Sequence, residues 1–284
     1  MAMPDERLHL MKITAIRAGD IILRYAKGGA DYKPDGSVVT EADMRSNEFI
    51  TGELTRRFPE YGILSEESPD DLGRLGKRKV YIVDPLDGSG DLKRGEDDFC
   101  VQIALAEDGE VVLGVVYEPS KKRLFSGQKG WQALLAQDVT LRGDDTYDAS
   151  EGVLSPLKPV AWQDAIVGHP KSYKGDKYQQ LYKWLCIPES RLRKSGSMGT
   201  RMMQVALGET HMILGYTRSL NEWDVAAGHA VLEARGMSVT DVQGNPVRYN
   251  KGIPKTGNGI LVAHPDIKWD LLHHIKGCLP LVPL

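Results

Sequence analysis

The segment that most constrains the fold is residues 80–91, which read VYIVDPLDGSGD. Val80–Val83 is apolar without polar alternation, a pattern typical of a strand that is buried on both faces. Asp84 follows this strand directly, so we expect its carboxylate to emerge at the edge of the core. Two further aspartates, Asp87 and Asp91, follow in the same segment. The sequence therefore groups negative charge at a place where burial makes charge costly.

Grouped carboxylates need protons or cations, because two ionised carboxylates about 4 Å apart repel by about 4 kcal/mol at an effective dielectric of about 20. Nearby lysines are one source of positive charge. Hard oxygen ligands from turns also suit Mg²⁺, and this turn offers Asp84, the Leu86 carbonyl and Asp87. Residues 88–90 offer unobstructed backbone N–H groups to an anion. Metal-binding carboxylates beside phosphate-binding amides indicate metal-assisted phosphoryl chemistry.

Three more acidic motifs accompany this turn: TEAD at 40–43, SEES at 65–68 and NEWD at 221–224. Each has a purely structural interpretation. TEAD and NEWD resemble helix N-caps with an acid three positions on, and the paired glutamates of SEES fit a solvated corner. Taken singly, each motif favours the structural interpretation. Taken together with residues 84–91, they favour a shared cation site.

The composition excludes several classes of protein. The net charge of −3 lacks the basic excess of a protein that binds nucleic-acid polymers. No apolar run approaches the roughly 18 residues of a membrane span, no signal peptide is indicated, and the three cysteines are odd in number and far apart. A cytoplasmic protein is expected. The absence of G-x-x-x-x-G-K-[ST] excludes a P-loop, and the lack of G-x-S-x-G disfavours a serine hydrolase.

Hydrophobic periodicity predicts two subdomains. An α+β part over 1–147 carries the acidic turn, an α/β part covers 148–284, and the polar stretch 142–152 marks the boundary. The predicted helices lie near 6–27, 40–58, 176–186, 198–208, 223–235 and 267–276. The predicted strands lie near 62–65, 79–83, 99–106, 111–117, 164–168, 191–195, 211–216 and 259–263.

The motifs resemble those of a known family. DPLDGS at 84–89 resembles the DP(I/L)DG(T/S) signature of the inositol monophosphatase superfamily, and WDVAAG at 223–228 resembles its WDxAAG signature. VTEAD at 39–43 and the glutamates at 66–67 match its upstream motifs in order. The resemblance implies an α/β (α+β) protein with the layered αβαβα sugar-phosphatase fold, a possible homodimer. It also implies Mg²⁺-dependent hydrolysis of small phosphomonoesters and inhibition by Li⁺.

The resemblance also implies roles for individual residues. The metal ligands would be Glu66, Asp84, the Leu86 carbonyl, Asp87 and Asp224, holding two or three Mg²⁺ ions that Mn²⁺ can replace. Asp43 and Ser89 would orient and deprotonate the attacking water, with Glu66 in the same catalytic set. The substrate would be held by the Gly88 and Ser89 amides, by Asp224, and by Lys194 and Ser195, although the last two fit a helix cap equally well. Glu67 and Thr40 would position the metal ligands without binding the metal themselves.

Finer details favour one branch of the superfamily. ILSEE at 63–67 and EWDVAAGHA at 222–230 resemble 3′(2′),5′-bisphosphate nucleotidases, which implies hydrolysis of adenosine 3′,5′-bisphosphate to AMP and phosphate. Two segments depart from that branch: SGDLKR at 89–94 replaces TKEF, and GHPKS at 168–172 replaces SRSH. An inositol-1-monophosphatase or another small sugar or polyol phosphatase stays open, as does a non-enzymatic regulator or scaffold. His169 and His229 have no assigned role at this stage.

Overall fold

The computed structural model describes residues 5–32, 38–143, 145–171, 176–215 and 220–278. Its helices are α1 (Glu6–Tyr25), α2 (Glu41–Arg57), α3 (Ser89–Lys93), α4 (Asp176–Trp184), α5 (Met198–Leu207), α6 (Ala226–Ala234) and α7 (Lys268–Cys278). Its strands are β1 (Ala30–Tyr32), β2 (Val38–Thr40), β3 (Gly62–Ser65), β4 (Lys79–Asp87), β5 (Cys100–Glu107), β6 (Glu110–Glu118), β7 (Arg123–Gln128), β8 (Ala133–Leu141), β9 (Tyr147–Val153), β10 (Val167–Pro170), β11 (Leu192–Ser195), β12 (Met212–Gly215), β13 (Ser238–Thr240) and β14 (Ile260–Ala263).

Two large sheets organise these strands. The first is seven-stranded in the order β3-β4-β5-β6-β7-β8-β9, with β3 and β4 parallel and each later neighbour antiparallel. The second is five-stranded in the order β11-β10-β12-β14-β13, with β10 parallel to both of its neighbours. A small antiparallel pair, β1 and β2, precedes α2.

Three cores hold the helices and sheets in alternating layers. One joins α1 and α2 to the outer face of the seven-stranded sheet, as in the cluster of Met11, Ile50 and Val83. A second lies between the two sheets and includes α5 and α6. The third covers the far face of the five-stranded sheet with α4 and α7. The order is therefore helices, sheet, helices, sheet, helices, and the predicted αβαβα layering is confirmed.

The layer between the sheets depends on a close approach of α6 to strands β6 and β7. Gly114 and Gly127 face each other across these strands. A Cβ on Gly114 would lie 2.4 Å from the Ala227 carbonyl oxygen, and one on Gly127 would lie 2.6 Å from the Ala230 oxygen. Any side chain at either glycine would push α6 away from the sheet.

The predicted elements that carry the motifs all form, with shifts at their ends. Strand β4 continues to Asp87, past the predicted end at Val83, because its pairing with β5 resumes at Asp87 and Cys100 after an irregularity. The sequence did not predict α3, the pair β1–β2, or strands β7, β8, β9 and β13. The division at 147/148 stays a prediction, and β9 runs across it within the first sheet.

None of the described helices is long and apolar enough to cross a membrane. Among the described cysteine side chains, Cys100 is buried and Cys186 is exposed, and both are free thiols.

Candidate active site

The acidic turn sits on a bulge between β4 and β5. Asp84 pairs with Gln102 and Asp87 pairs with Cys100, so the register between the two strands shifts between these points. Bulges redirect side chains and often lie beside functional sites. Here Asp84 is 1% exposed, and its Oδ1 accepts the Leu86 N–H at 3.1 Å. The irregularity brings Asp84 near Asp224, which precedes α6, and Asp87 near Gly199 of α5.

Three acids from distant parts of the chain meet at this point. Carboxylate oxygens of Glu66, Asp84 and Asp224 lie within 4.8 Å of one another. Glu66 follows β3, Asp84 lies on β4 and Asp224 precedes α6, so the seven-stranded sheet and the helical layer packed against it both contribute. The convergence expected from the scattered acidic motifs is thus present for these three residues.

Without a cation, burial and mutual repulsion make the ionised form of these carboxylates unfavourable. Burial raises the pKa of Asp84 well above its ordinary value, and the nearby charges of Glu66, Asp87 and Asp224 raise it further. Burial likewise raises the pKa of Asp224, with Asp87 adding to the effect. Carboxylates that repel one another in a buried place favour protons or a metal ion. The donor set therefore fits a hard divalent cation.

Asp87 lies beside this group and faces the start of α5. Its Oδ2 accepts the Gly199 N–H at 2.6 Å and the Gln102 Nε2–H at 2.9 Å. Burial raises the pKa of Asp87 to about 6, whereas the Gly199 N–H bond and the Arg201 charge oppose that rise. Two donors thus fix the orientation of this carboxylate before any ligand binds.

Gln102 is a residue whose role the sequence reasoning missed. It is fully buried on β5, and its Nε2 donates both to Asp87 and, at 3.1 Å, to the backbone carbonyl of Asp224. One side chain thereby joins the acidic turn of the first sheet to the segment that opens α6. The signal available in the sequence was a lone amide within the apolar run CVQIALA.

Asp43 and Ser89 form a second constellation beside the cluster. Ser89 Oγ donates to Asp43 Oδ1 at 2.5 Å. Asp43 Oδ2 accepts the Thr40 N–H at 2.7 Å and the Thr40 hydroxyl at 2.5 Å, and the Asp43 N–H completes a capping box. Asp43 is 1% exposed. The capping interpretation of TEAD is therefore confirmed. The other oxygen of Asp43 is bonded to Ser89, and the catalytic role of this pair stays a prediction.

A network of hydrogen bonds from α2 holds the segments that carry the candidate metal ligands in position. Asn47 Oδ1 accepts the Ser65 hydroxyl at 2.7 Å, and Asn47 Nδ2 reaches the Glu67 carbonyl at 3.4 Å. Ser46 Oγ donates to the Pro85 carbonyl at 2.8 Å. Helix α2 thus fixes both the SEES corner and the bulge. Asn47 and Ser46 were missed because serine and asparagine inside a helix carry no distinctive sequence signal.

The turn that is predicted to bind an anion requires glycine at position 88. Gly88 has φ +102°, a conformation that L side chains rarely adopt, and a Cβ there would lie 2.7 Å from the Asp98 carbonyl oxygen. Helix α3 begins at Ser89, so its first N–H groups lack acceptors within the helix. These amides and the Ser89 hydroxyl lie on the same turn as the aspartates.

Residues 194–197, which read KSGS, lie just before α5, where two serines contact the helix and Lys194 lies on the surface. Ser197 caps α5 by accepting the Thr200 N–H, and Ser195 is buried and accepts from Gln204 Nε2 at 3.2 Å. Lys194 is exposed, with its Nζ 3.6 Å from Glu189. Substrate contact by Lys194 and Ser195 stays a prediction.

The two histidines left without a role are both buried. His169 Nδ1 lies 2.8 Å from the Tyr182 hydroxyl, and His229 Nδ1 lies 2.8 Å from the Tyr249 hydroxyl. Burial is the main cause that lowers the pKa of each to about 4. Both rings are therefore neutral near pH 7. Ser172, the last residue of GHPKS, lies outside the described residues.

Comparison with known proteins identifies the family of this chain. The sequence profile of the inositol monophosphatase family matches residues 4–276. An inositol-1-monophosphatase of Caulobacter vibrioides is 30% identical over 251 residues, covering 88% of this chain and 89% of that protein. The 3′(2′),5′-bisphosphate nucleotidase CysQ of Escherichia coli K12 is 29% identical over 240 residues, covering 83% and 90%. The Nus factor SuhB of Xylella fastidiosa is 28% identical over 255 residues, covering 85% and 84%.

Solved structures show the same architecture. CysQ of Bacteroides thetaiotaomicron, described as a bacterial member of the inositol monophosphatase family, superposes with a TM-score of 0.73 at 28% identity, covering 90% of this chain and 96% of that one. The family indicated by the sequence motifs and the layered fold both agree with these comparisons. The chain therefore belongs to the inositol monophosphatase family of metal-dependent phosphoric monoester hydrolases.

Proposed function

We propose that the protein is a Mg²⁺-dependent 3′(2′),5′-bisphosphate nucleotidase that converts adenosine 3′,5′-bisphosphate to AMP and phosphate. The observation that carries the choice of substrate is a cavity of about 640 Å³ over β10, β11 and α4. Its described lining combines aromatic rings with cations: His169, Tyr178, Tyr182, Lys171, Lys183 and Lys194. A ligand with both an aromatic base and phosphate charge suits this lining, whereas a polyol phosphate has no aromatic part to use it.

The cavity adjoins the acidic turn through one loop. Lys171 Nζ pairs with Asp98 and lies 3.0 Å from Glu96. The Asp98 carbonyl packs against Gly88 and accepts the Ser197 N–H at 3.4 Å. A nucleotide whose scissile phosphate lies on the turn would thus extend toward the cavity past Lys171. The second phosphate of this nucleotide would then lie near the lysines that line the cavity.

The residues present fit Mg²⁺ as the metal. Glu66, Asp84, Asp87, Asp224 and the Leu86 carbonyl would hold two or three ions with oxygen alone, which favours Mg²⁺ or Mn²⁺ over zinc. When bound, the metal supplies Lewis acidity and lowers the pKa of a water molecule. Inhibition by Li⁺ belongs to this proposal.

The chain's own groups would orient the reactants. Ser89 donates its hydroxyl hydrogen to Asp43, which leaves the Ser89 oxygen able to accept a hydrogen bond from the attacking water. Asp43 would then receive the proton through that serine. The Gly88 and Ser89 amides would hold the phosphate and stabilise the charge on its oxygens.

The substrate is tested by comparing kcat/KM for adenosine 3′,5′-bisphosphate and inositol 1-phosphate under the same Mg²⁺ concentration. We expect the nucleotide to be preferred, and we expect Lys194→Gln to reduce that preference by raising KM for the nucleotide alone. The matched control is Lys183→Gln, which removes a second cation from the cavity rim and indicates whether charge in general or Lys194 in particular matters. Preference for inositol 1-phosphate would contradict the nucleotidase assignment and leave the metal chemistry intact.

Two relatives motivate the alternatives. An inositol-1-monophosphatase or another sugar or polyol phosphatase is favoured by the relative from Caulobacter vibrioides, which is 30% identical. A regulatory role without catalysis is favoured by the relative named as a Nus factor. Phosphate release from any small phosphomonoester would contradict a purely regulatory role. A homodimer in the cytoplasm is the setting we propose for the enzyme.

A further inference from the structure

A second cavity lies at the junction of the two sheets, away from the acidic turn. Its volume is about 490 Å³, within the usual size of ligand sites. It is lined by β8 and β9, by the connecting segment 154–158, by the end of α5, and by His211, Arg235 and His264. None of these residues belongs to the proposed catalytic machinery.

Arg235 contributes a cation whose charge is not neutralised. Its Nη1 donates to the Leu154 carbonyl at 3.1 Å and its Nη2 donates to the Ser155 carbonyl, which ties α6 to the connecting segment. Its Nε is buried and has no hydrogen-bond partner within the described part of the chain. No described carboxylate pairs with Arg235, and burial lowers its pKa.

His264 adds a second unpartnered donor. The side chain is 3% exposed, and its Nδ1 accepts the Asp266 N–H at 3.2 Å. In the neutral ring the hydrogen must therefore lie on Nε2. That atom is buried, and no described residue accepts its hydrogen bond. Burial is the main cause that lowers the pKa of His264; the nearby Asp266 carboxylate opposes this shift, and the charge of Arg235 adds to it.

His211, which is half-buried, adds another N–H group to the lining of the cavity. Its Nδ1 accepts the Ile166 N–H at 2.9 Å, so its hydrogen also lies on Nε2. The His211 and His264 ring centroids are 6.3 Å apart. Burial lowers the pKa of His211 as well. Arg235, His264 and His211 thus line one cavity, and a ligand that bonds to the two N–H groups without a described partner must carry acceptors.

We propose that this cavity binds an oxyanion of the phosphate class, held by the N–H groups of Arg235, His264 and His211. Lys158, which also lines the cavity, adds positive charge. Glu151 is the acidic residue in the lining, and it is paired with Lys12. The anion is either free phosphate or the phosphate group of a larger metabolite. By contacting α6, the connecting segment and the end of β14 together, it would stabilise the junction between the sheets.

The test is thermal unfolding in EDTA, which removes metal from the acidic turn, with inorganic phosphate added at constant ionic strength against chloride. We expect the wild-type Tm to rise by about 2–3 °C at phosphate about tenfold above its Kd. Arg235→Gln should lose this rise. Arg248→Gln, which changes an exposed arginine paired with Glu110, should keep it. Arg235→Gln with an unchanged phosphate response would overturn the proposal.

A second pair of variants decides the question if Arg235→Gln fails to fold. Ser150 is exposed on β9 and lines the cavity. Ser150→Glu should abolish the phosphate response through charge repulsion, and Ser150→Gln should retain it. Glycerol 3-phosphate in a parallel titration separates the two sources of the anion. A larger rise than with phosphate assigns the site to a phosphorylated metabolite, an equal rise assigns it to the free anion, and no rise with either overturns the proposal.

Discussion

Replacing Asp43 with asparagine separates catalysis from helix capping, because the two oxygens of Asp43 serve different neighbours. Oδ1 accepts the Ser89 hydroxyl at 2.5 Å, and Oδ2 accepts two groups of Thr40. All three partners donate, so both oxygens must accept. Asparagine keeps one oxygen and replaces the other with an NH₂ donor, and whichever way the amide turns, one neighbour meets a donor instead of an acceptor.

Each orientation of the amide has its own cost. If the NH₂ group faces Thr40, the Thr40 N–H and hydroxyl lose their acceptor. This breaks one half of the capping box and costs about 0.5–2 kcal/mol of stability. If the NH₂ group faces Ser89, the Ser89 oxygen accepts a hydrogen bond from the introduced amide and can no longer accept one from the attacking water. In both cases the proton has no carboxylate to reach, so we expect kcat to fall by about 10²–10⁴-fold, or ~3–5 kcal/mol in activation free energy.

The assay is kcat for phosphate release at saturating Mg²⁺, with a Mg²⁺ titration and a melting curve for each variant. Asp43 is not proposed as a metal ligand, so half-saturation by Mg²⁺ should change little. Thr40→Ala is the matched control, because it removes the capping hydroxyl and leaves the Ser89–Asp43 bond. It should lower Tm by a few degrees and kcat by less than about tenfold.

The double variant Asp43→Asn/Ser89→Ala tests whether the two residues act as a unit. If they do, it should be about as slow as the slower single variant, because each change already breaks the same proton path. Near-normal turnover in Asp43→Asn, with a Tm loss equal to that of Thr40→Ala, would refute the catalytic reasoning and leave Asp43 as a cap.

The other predictions concern the metal and the buried histidines. EDTA should abolish activity, Mg²⁺ or Mn²⁺ should restore it and Ca²⁺ should not, whereas activity that survives EDTA and requires zinc would contradict the all-oxygen site. Asp87→Asn should raise the half-saturating Mg²⁺ concentration as well as lower kcat, and an unchanged Mg²⁺ titration would remove Asp87 from the ligands. Gln102→Leu should weaken Mg²⁺ binding through misorientation of Asp87 and Asp224, which a calorimetric titration would detect. For His169 and His229, the pKa in the folded protein is about 4, below the ordinary value of 6.5. Between these two pH values the unfolded chain binds more protons than the folded protein. The free energy of unfolding should therefore fall as the pH drops from about 6.5 to about 4. Denaturant melts of a His169→Gln/His229→Gln variant should show a flatter pH dependence in that range.

Sequence patterning predicted the parts of the site that lie at element ends. Asp84 follows the apolar run Val80–Val83, and TEAD opens α2 with a capping box, so these acids have a recognisable local context. The capping interpretation of NEWD is wrong: α6 begins at Ala226, and its N-cap, Val225, makes no side-chain hydrogen bond. We predicted that these acids converge because grouped carboxylates repel one another without a cation and because the motifs occur in the order typical of the family. Glu66, Asp84 and Asp224 do converge.

What the sequence did not predict depends on pairing between distant segments. The bridging role of Gln102 follows from the register that sets Asp87 opposite Cys100, and local pattern carries no information on register. Strand β9 is mostly exposed and forms through its pairing with β8, so its own residues show little periodicity. Helix α3 is only five residues long, too short for a periodic signal.

The close contact of Gly114 and Gly127 with α6 has a thermodynamic consequence. Asp224 lies just before α6, while Glu66 and Asp84 belong to the sheet against which that helix packs. A cation shared by these acids would bind well only when helix and sheet are fully docked, so ion binding and docking must be linked equilibria. Each would strengthen the other by the same free energy. An alanine at either glycine would then register as a loss of metal affinity, although neither position carries a group that touches the ion.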